Sequence, residues 1–195
     1  VDIVANSRQQ AKILFDMSSN TIKKIDPNQK VFKTYRDKIK FDLRNSYLQV
    51  LSSDASRLDG FSSYLFVEDE LHEAPNDKLY SVLKSSQGAR TNPLAISITT
   101  AGFNLGSFCY QLRQSNIQIL LGAKQDDTQF TAIYTQDEDD DLFNDDSCWI
   151  KSNPNLNVTV KKQYKSPINN DPIKQHIRGI NTARNGFRFP LQLAS

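Results

Sequence analysis

Apolar and polar residues follow two different periods along the first part of the chain. Residues 1–5, Val-Asp-Ile-Val-Ala, are mostly apolar, which predicts a strand. The next segment repeats apolar side chains every three or four residues, which predicts an amphipathic helix that ends near Asp26 and Pro27. Asn6 or Ser7 can cap its first turn. The stripe of this helix consists of Ala11, Leu14, Phe15, Ser18, Ile22 and Ile25.

The same reasoning predicts an α/β order of elements for the rest of the chain. Further strands are predicted at residues 30–41 (one or two short ones), 46–51, 64–67, 94–98 and 128–135. Helices are predicted at residues 77–86, with Leu79, Tyr80, Val82 and Leu83 facing inward, and at residues 105–121, ended by Gly122. Because helices separate most of these strands, we expect a largely parallel sheet flanked by helices.

Three consecutive carboxylates follow the apolar run at residues 64–67. They are Glu68, Asp69 and Glu70, and they stand where a parallel sheet binds its ligands. Carboxylates at that place suit a Mg²⁺-nucleotide site, in which one oxygen ligand holds the metal and a second acid polarises the attacking water. Because side chains alternate along a strand, Glu68 and Glu70 should point to the same side, away from Asp69. The structural alternative is a strand that runs into a solvated acidic turn.

Composition limits the class of protein. At 195 residues the chain is long enough for one domain, or for one and a piece, and 38% hydrophobic residues suffice for a modest core. The mean hydropathy is −0.55, and no apolar run approaches the roughly 18 residues of a membrane span. No signal peptide is recognisable. Cys109 and Cys148 are isolated, so neither a disulfide framework nor a zinc site is indicated.

The net charge of +2 conceals an asymmetry. Residues 137–146 contain seven acids and no base, which leaves a net charge of +9 on the remainder of the chain. A basic body is compatible with a DNA partner through neutralisation of phosphates, although it is also common in soluble proteins. No basic stripe with interleaved aromatic residues stands out in the sequence.

The order of several short segments resembles the large terminase subunit of tailed bacteriophages, the ATPase motor and nuclease that packages DNA. The segments are Ala-Asn-Ser-Arg-Gln-Gln-Ala at residue 5, Asp-Glu-Leu-His-Glu at residue 69 and Ser-Ile-Thr-Thr-Ala-Gly-Phe at residue 97. The last two at this separation are specific. The resemblance implies a partial P-loop NTPase-type domain over residues 1–160, whereas residues 161–195 are expected to be a linker or an off-family tail with little order.

In this resemblance the acidic strand is the ATPase centre, with ATP and Mg²⁺ as ligands. Asp69, at the end of the strand, is expected to be the Mg²⁺ ligand. The catalytic carboxylate is expected to be Glu70. Glu68 remains the alternative, because some relatives place the catalytic glutamate after the aspartate and others place it before. The whole protein would couple ATP hydrolysis to DNA translocation into the capsid.

Four further residues take roles from the resemblance. Thr99 and Thr100 resemble the coupling motif that senses the γ-phosphate, although Thr-Thr-Ala-Gly is by itself only a turn. Arg57 precedes the acidic strand, where relatives carry an arginine that reaches the nucleotide of a neighbouring subunit. Arg90 is a weaker candidate for the same role. A surface arginine is the structural alternative for both.

The phosphate cradle is missing from these residues. A P-loop ends in Gly-Lys followed by Ser or Thr, and the sequence contains no Gly-Lys dipeptide. In the family the P-loop precedes the strand that resembles residues 1–5, so we expect this chain to be a fragment that does not hydrolyse ATP alone.

The acids at residues 137–146 lack a strand to fix their geometry, and the family's nuclease site lies further on, so no nuclease activity is expected.

The resemblance also implies partners and a location. The partners are double-stranded DNA, the small terminase subunit and the portal protein, with a homo-oligomeric ring for the full-length protein, no membrane contact and action in the host cytoplasm. A non-catalytic prophage remnant or interaction domain is the rival hypothesis, favoured by the loss of pattern after Tyr164. An unrelated α/β domain with a structural acidic strand is the third.

Overall fold

The computed structural model describes residues 1–51, 62–137, 139–141, 145–156 and 158. The chain divides into two compact units, of which the first comprises Val1–Ile98 and Gly106–Gln111. The second comprises Thr99–Leu105 and Leu112–Ser195. The expected tail at residues 161–195 lies outside the described residues.

A six-stranded sheet forms the centre of the first unit. Its spatial order is β2-β3-β4-β1-β5-β6, so β1 lies inside the sheet and β2 and β6 lie at its edges. β1 pairs in parallel with β4 and β5, and β5 pairs in parallel with β6, whereas β3 is antiparallel to both β2 and β4. Five of the six strands therefore run in one direction, which confirms the mostly parallel α/β fold. The strands are β1 Asp2–Ala5, β2 Phe32–Thr34, β3 Lys38–Phe41, β4 Ser46–Val50, β5 Leu65–Asp69 and β6 Leu94–Ser97.

Helix α1, Arg8–Ile25, covers one face of this sheet. Ser7 caps it in a capping box with Gln10, and the helix ends at Asp26, as the pattern predicts. Ala11 and Phe15 are buried in a cluster with side chains of β1, β3 and β4. Ile25 belongs to the predicted stripe but is 73% exposed, since it is the last helical residue and lies past the buried part of the stripe.

Helix α2, Lys78–Ser86, covers the opposite face of the sheet. Leu79 and Leu83 are buried in a second cluster with Val4 of β1 and Phe66 of β5. Tyr80 and Val82 pack against the same cluster, so all four predicted inward positions are confirmed. The two clusters enclose β1 between α1 and α2, and all four residues of β1 are buried.

Helix α3, Phe108–Leu120, begins three residues later than the pattern predicts. Ser107 accepts a hydrogen bond from the backbone N–H of Tyr110 at 3.2 Å, which fixes the first turn at this point. Gly122 adopts φ +72° just after the helix, the left-handed ending predicted for it. Among the described residues, no helix is long and apolar enough to cross a membrane.

The strand predicted at residues 128–135 is wrong. This segment forms no strand, and Phe130, which the alternation placed on its apolar face, is 89% exposed. A two-residue period produces a strand only where a partner supplies the hydrogen-bonded ladder, and none of the strands in the described residues pairs with this segment. The following residues Asp146–Lys151 form a 3-10 helix.

Candidate active site

The predicted acids lie where the carboxyl ends of three parallel strands meet. β5 ends with Asp69, which is in register with Ala5 at the end of β1, and Glu68 is in register with Ser97 at the end of β6. Two backbone bonds extend this pairing: Ile98 N–H donates to Glu68 O at 2.9 Å, and Leu71 N–H donates to Ile98 O at 3.2 Å. The turn that follows β5 is thereby held against the end of β6.

Asp69 is the last residue of β5 and is partly exposed. Paired residues of neighbouring parallel strands share a face, so Asp69 lies on the same face as Ala5, the face that α1 covers. Its Oδ1 accepts a hydrogen bond from the backbone N–H of Glu70 at 3.0 Å. The sequence prediction that Asp69 ends the strand is confirmed, and its carboxylate stays within reach of solvent.

Glu70 does not continue the strand. Its backbone is left-handed, with φ +54° and ψ +47°, and it precedes a 3-10 helix at Leu71–Glu73. The expectation that Glu68 and Glu70 share one side of an extended strand is therefore wrong, because strand alternation ends with Asp69. A left-handed glutamate costs on the order of 1–3 kcal/mol, and strain of this kind concentrates at functional sites.

Glu68 is the most deeply buried of the three acids, with 2% of its surface exposed. It is in register with Val4, so it lies on the α2 face, opposite to Asp69. Its Oε2 is buried and has no hydrogen-bond partner among the described residues. This burial raises the pKa of Glu68 to about 7. The pKa of Tyr80 is also raised, first by burial and then by the charge of Glu68.

A series of polar contacts connects Glu70 with the start of α1. The Nδ1 atom of His72 lies 3.2 Å from Glu70 Oε2, and its Nε2 atom lies 4.0 Å from Glu73 Oε1. Gln10 Nε2 donates to Glu73 Oε2 at 3.1 Å. Ser7 Oγ in turn lies 3.0 Å from Gln10 Oε1. His72 thus lies beside the carboxylate of Glu70, and the neighbouring Glu73 is hydrogen-bonded to the helix that follows β1.

Sequence reasoning missed the participation of His72 and Gln10. In the sequence His72 and Gln10 stand out only as members of the Asp-Glu-Leu-His-Glu and Ala-Asn-Ser-Arg-Gln-Gln-Ala motifs. The separation of two residues between Glu70 and His72 was visible, but it brings their side chains together only because the chain turns sharply at Glu70. A glutamate does not indicate such a left-handed turn, whereas a glycine or an asparagine would have done so.

The remaining predicted residues are placed as follows. Thr99 and Thr100 lie in the second unit, where Thr99 Oγ1 donates to Thr100 O at 2.9 Å. Arg57 lies outside the described residues. Arg90 donates from Nε and one terminal nitrogen to the carbonyl of Ser62, at 3.1 and 2.7 Å, which gives it a structural contact.

Among the described residues of the acidic stretch, one group of carboxylates has a geometry that would admit a cation. Carboxylate oxygens of Asp137, Asp139 and Asp140 lie within 4.8 Å of one another. The ammonium of Lys151 already lies 2.6 Å from Asp137 and 2.7 Å from Asp140. These hydrogen bonds raise the pKa of Lys151, so its own positive charge offsets the acids.

Comparison with known proteins places this site in a family. The chain is 39% identical over 126 residues to Protein YmfN of Escherichia coli strain K12, a match that covers 65% of this chain and 26% of that protein. The chain thus spans about a quarter of the length of this curated relative. The crystal structure of the HK97 bacteriophage large terminase matches with a TM-score of 0.69 and 23% identity, covering 96% of this chain and 38% of the terminase, which shows a common fold.

The family model described as terminase large subunit, ATPase domain, matches residues 1–118. This is more than half of the 195-residue chain, and it includes α1, the acidic end of β5 and Thr99 and Thr100. The chain belongs to the terminase large subunit ATPase-domain family.

Proposed function

We propose that this chain is the ATPase portion of a phage DNA-packaging motor, in which hydrolysis of Mg-ATP drives double-stranded DNA into the capsid. The observation that carries the proposal is the end of β5, where Asp69 and Glu70 lie at the carboxyl edge of a mostly parallel sheet. Ligands of such sheets bind at this edge. Membership of the terminase ATPase family supports the same reaction.

Asp69 is the residue proposed to hold Mg²⁺. Its carboxylate is partly exposed, and one oxygen is oriented by the N–H of Glu70. Carboxylate oxygens suit this hard cation, which is bound through one or two of them together with water and phosphate oxygens. When bound, the ion neutralises negative charge on the phosphates during transfer.

Glu70 is the residue proposed to orient and polarise the attacking water. Its left-handed backbone turns it out of the strand, and His72 lies 3.2 Å from its carboxylate and restricts its orientation. Glu68 is the weaker candidate, because it is buried on the face opposite to Asp69 and its pKa is raised to about 7. At neutral pH much of its population would carry the proton that a base has to accept.

The finer parts of the mechanism extend this proposal. Thr99 and Thr100 are the residues proposed to sense the γ-phosphate, and Arg57 is proposed to reach the nucleotide of a neighbouring subunit. The whole protein would act as a homo-oligomeric ring in the host cytoplasm, together with the small terminase subunit and the portal protein.

A phosphate cradle has to be supplied to this site from further residues. The 195 residues contain no Gly-Lys dipeptide, so they hold no P-loop lysine. Because β5 is one strand from the β6 edge and four strands from the β2 edge, a strand and loop added beside β6 would lie closest to Asp69. We therefore propose that Mg²⁺ is held weakly by this chain and that hydrolysis needs the cradle.

The test of the metal site is the thermal shift that Mg²⁺ produces. A ligand that binds the folded state raises the melting temperature with its concentration, so millimolar Mg²⁺ should stabilise the chain. Asp69→Asn should remove most of that shift, whereas the control Asp16→Asn, an exposed acid on α1, should keep it. Equal Mg²⁺ responses in the two variants would reject Asp69 as the ligand.

A further inference from the structure

The antiparallel part of the sheet carries a row of lysines on one face. Lys33 of β2 is in register with Lys40 of β3, and Lys40 is in register with Tyr47 of β4. Lys38 stands two residues before Lys40 on the same strand and therefore on the same face. We call Lys33, Lys38, Lys40 and Tyr47 the lysine face. The residue between the two β3 lysines, Ile39, is buried on the other face under α1.

No helix of the described residues packs on the lysine face. α1 packs on the opposite face of β3 and β4. The cluster under α2 contains residues of β1 and β5 and Leu51, which follows β4, but no residue of β2 or β3. The side chains of Lys33 and Lys40 are 56% and 43% exposed, and Tyr47 is 41% exposed. The face is therefore open to a partner.

The charge of this region is strongly positive. Residues 30–44 contain six basic and two acidic side chains. Asp42 lies at the edge of the lysine face, 2.8 Å from Lys33 Nζ and 2.7 Å from Lys40 Nζ. The second acid, Asp37, lies 2.9 Å from Arg8 of α1. Lys38 Nζ stands 4.3 Å from the centre of the Tyr47 ring, so this ammonium lies over an aromatic side chain and has no carboxylate partner among the described ion pairs.

We propose that the lysine face binds the phosphate backbone of double-stranded DNA, an inference that rests on the proposed packaging function. From sheet geometry, the Cβ atoms of Lys33 and Lys40 lie about 5 Å apart across strands, and Lys38 and Lys40 lie about 7 Å apart along β3, so three cations are grouped on one face of the sheet. Lysine ammonium groups neutralise phosphates without reading bases. This face presents no helix to the major groove, so the proposed contact is independent of base sequence, as a motor that moves any DNA requires.

The lysines are already partly held in position for this contact. Hydrogen bonding to Asp42 raises the pKa of Lys33, and the same two lysines lower the pKa of Asp42 to about 2. Asp42 thus keeps the ammonium groups of Lys33 and Lys40 near each other in the absence of DNA, at the cost of one negative charge beside the phosphates. Removing this acid should strengthen DNA binding, which gives the face a test in both directions.

The experiment measures binding of a fluorescent 20-base-pair duplex to the 195-residue chain by anisotropy, over a series of salt concentrations. Each lost phosphate contact lowers the salt slope by roughly one, so Lys33→Gln with Lys38→Gln and Lys40→Gln should lower it by about 2–3 and weaken binding at least about tenfold at low salt. The control changes Lys23, Lys24 and Lys84, three exposed lysines of α1 and α2, to Gln and should lower the slope by less than one.

A second variant keeps the test decisive if the triple variant does not fold. Asp42→Asn should bind the duplex several-fold more tightly than the unaltered chain. Equal loss of binding in the lysine-face and control variants, or no gain in Asp42→Asn, would overturn the proposal. It would also be overturned if the unaltered chain ignored DNA and the lysine face instead mediated self-association through an acidic surface. The Mg²⁺ thermal shift on the same samples reports separately on the Asp69 site, so failure of one proposal is distinguishable from failure of the other.

Discussion

At the scale of single residues, the candidate site depends on one unusual backbone conformation. Glu70 is left-handed at the end of β5, a conformation that an L-residue other than glycine adopts at a cost. The conformation takes Glu70 out of the strand and brings its carboxylate to His72. We infer that the chain retains a strained glutamate here because its side chain, rather than its backbone preference, is required.

Because of this conformation, we expect glycine to be more stabilising than alanine at position 70, the reverse of their usual order in a helix. Glu70→Gly should be more stable than Glu70→Ala by about 1 kcal/mol, because glycine adopts positive φ without a steric penalty. At Lys84, an exposed position of α2, the order should be the ordinary one, with alanine the more stable by about 1 kcal/mol. Chemical denaturation of the four variants measures both differences. If alanine were the more stable at both positions, the strain at Glu70 would be disproved.

The neighbouring Glu68 should lower the stability of the fold through its buried carboxylate. Its Oε2 is buried without a hydrogen-bond partner among the described residues, and such a group costs about 1–3 kcal/mol. Glu68→Met fills a similar volume without that polar atom and should raise the free energy of unfolding by about 1 kcal/mol or more. Glu68→Gln keeps a polar atom in the same place and should gain less. A methionine variant less stable than the glutamine variant would contradict this environment.

At the scale of elements, the start of α1 lies beside the candidate site and is fixed by Ser7. The Ser7 side chain accepts from the backbone N–H of Gln10, and Gln10 donates to Glu73. Ser7→Ala should therefore cost about 1 kcal/mol of stability, the usual cost of losing such a cap. The alternative cap position, Asn6, serves as control. Asn6→Ala should change the free energy of unfolding by less than about 0.5 kcal/mol, as is usual for a surface substitution. Urea denaturation decides between the two positions.

The end of β3 makes stability depend on pH through Asp42. Hydrogen bonds from Lys33 and Lys40 lower the pKa of Asp42 from 3.8 to about 2 in the folded chain. A depressed pKa means that the stabilising contribution is present above pH 3.8 and is lost as the pH falls through about 2. Asp42→Asn should thus be less stable than the unaltered chain at pH 7, and the difference should narrow between pH 4 and pH 2. Urea denaturation at several pH values measures it, and a constant difference would contradict the pairing.

Helices and strands that bury an apolar face could be predicted from the sequence, whereas the backbone conformation of a single residue could not. α1 and α2 are recognisable because apolar side chains such as Phe15 and Leu83 recur at helical spacing. They recur because they pack in the core beneath each helix. The alternation at residues 128–135 carries the same kind of pattern, but no strand of the described residues pairs with it. Likewise, Asp69 was predicted from its place after an apolar run, whereas the left-handed turn at Glu70 depends on contacts with residues far along the chain.

At the scale of the whole molecule, the sheet brings the carboxyl ends of β1, β5 and β6 to one edge. Asp69 and Glu70 stand at that edge, while the lysine face occupies the antiparallel end of the same sheet. We therefore propose that nucleotide and DNA are bound at opposite ends of one sheet. The arrangement makes loss of DNA binding and loss of Mg²⁺ binding separable by mutation.

The most direct test of the proposed function is phosphate release by a chain that has its cradle. A segment with a P-loop is joined ahead of residue 1, and ATP hydrolysis is measured with Mg²⁺ before and after substitution of each acid. Since the P-loop supplies most of the positioning of the phosphates, the joined protein should hydrolyse ATP and the 195-residue chain should not. Glu70→Gln should abolish hydrolysis while nucleotide binding persists, and Glu68→Gln should retain it. Activity that survives Glu70→Gln but is lost with Glu68→Gln, or phosphate release by the 195-residue chain alone that Glu70→Gln abolishes, would contradict the proposed site.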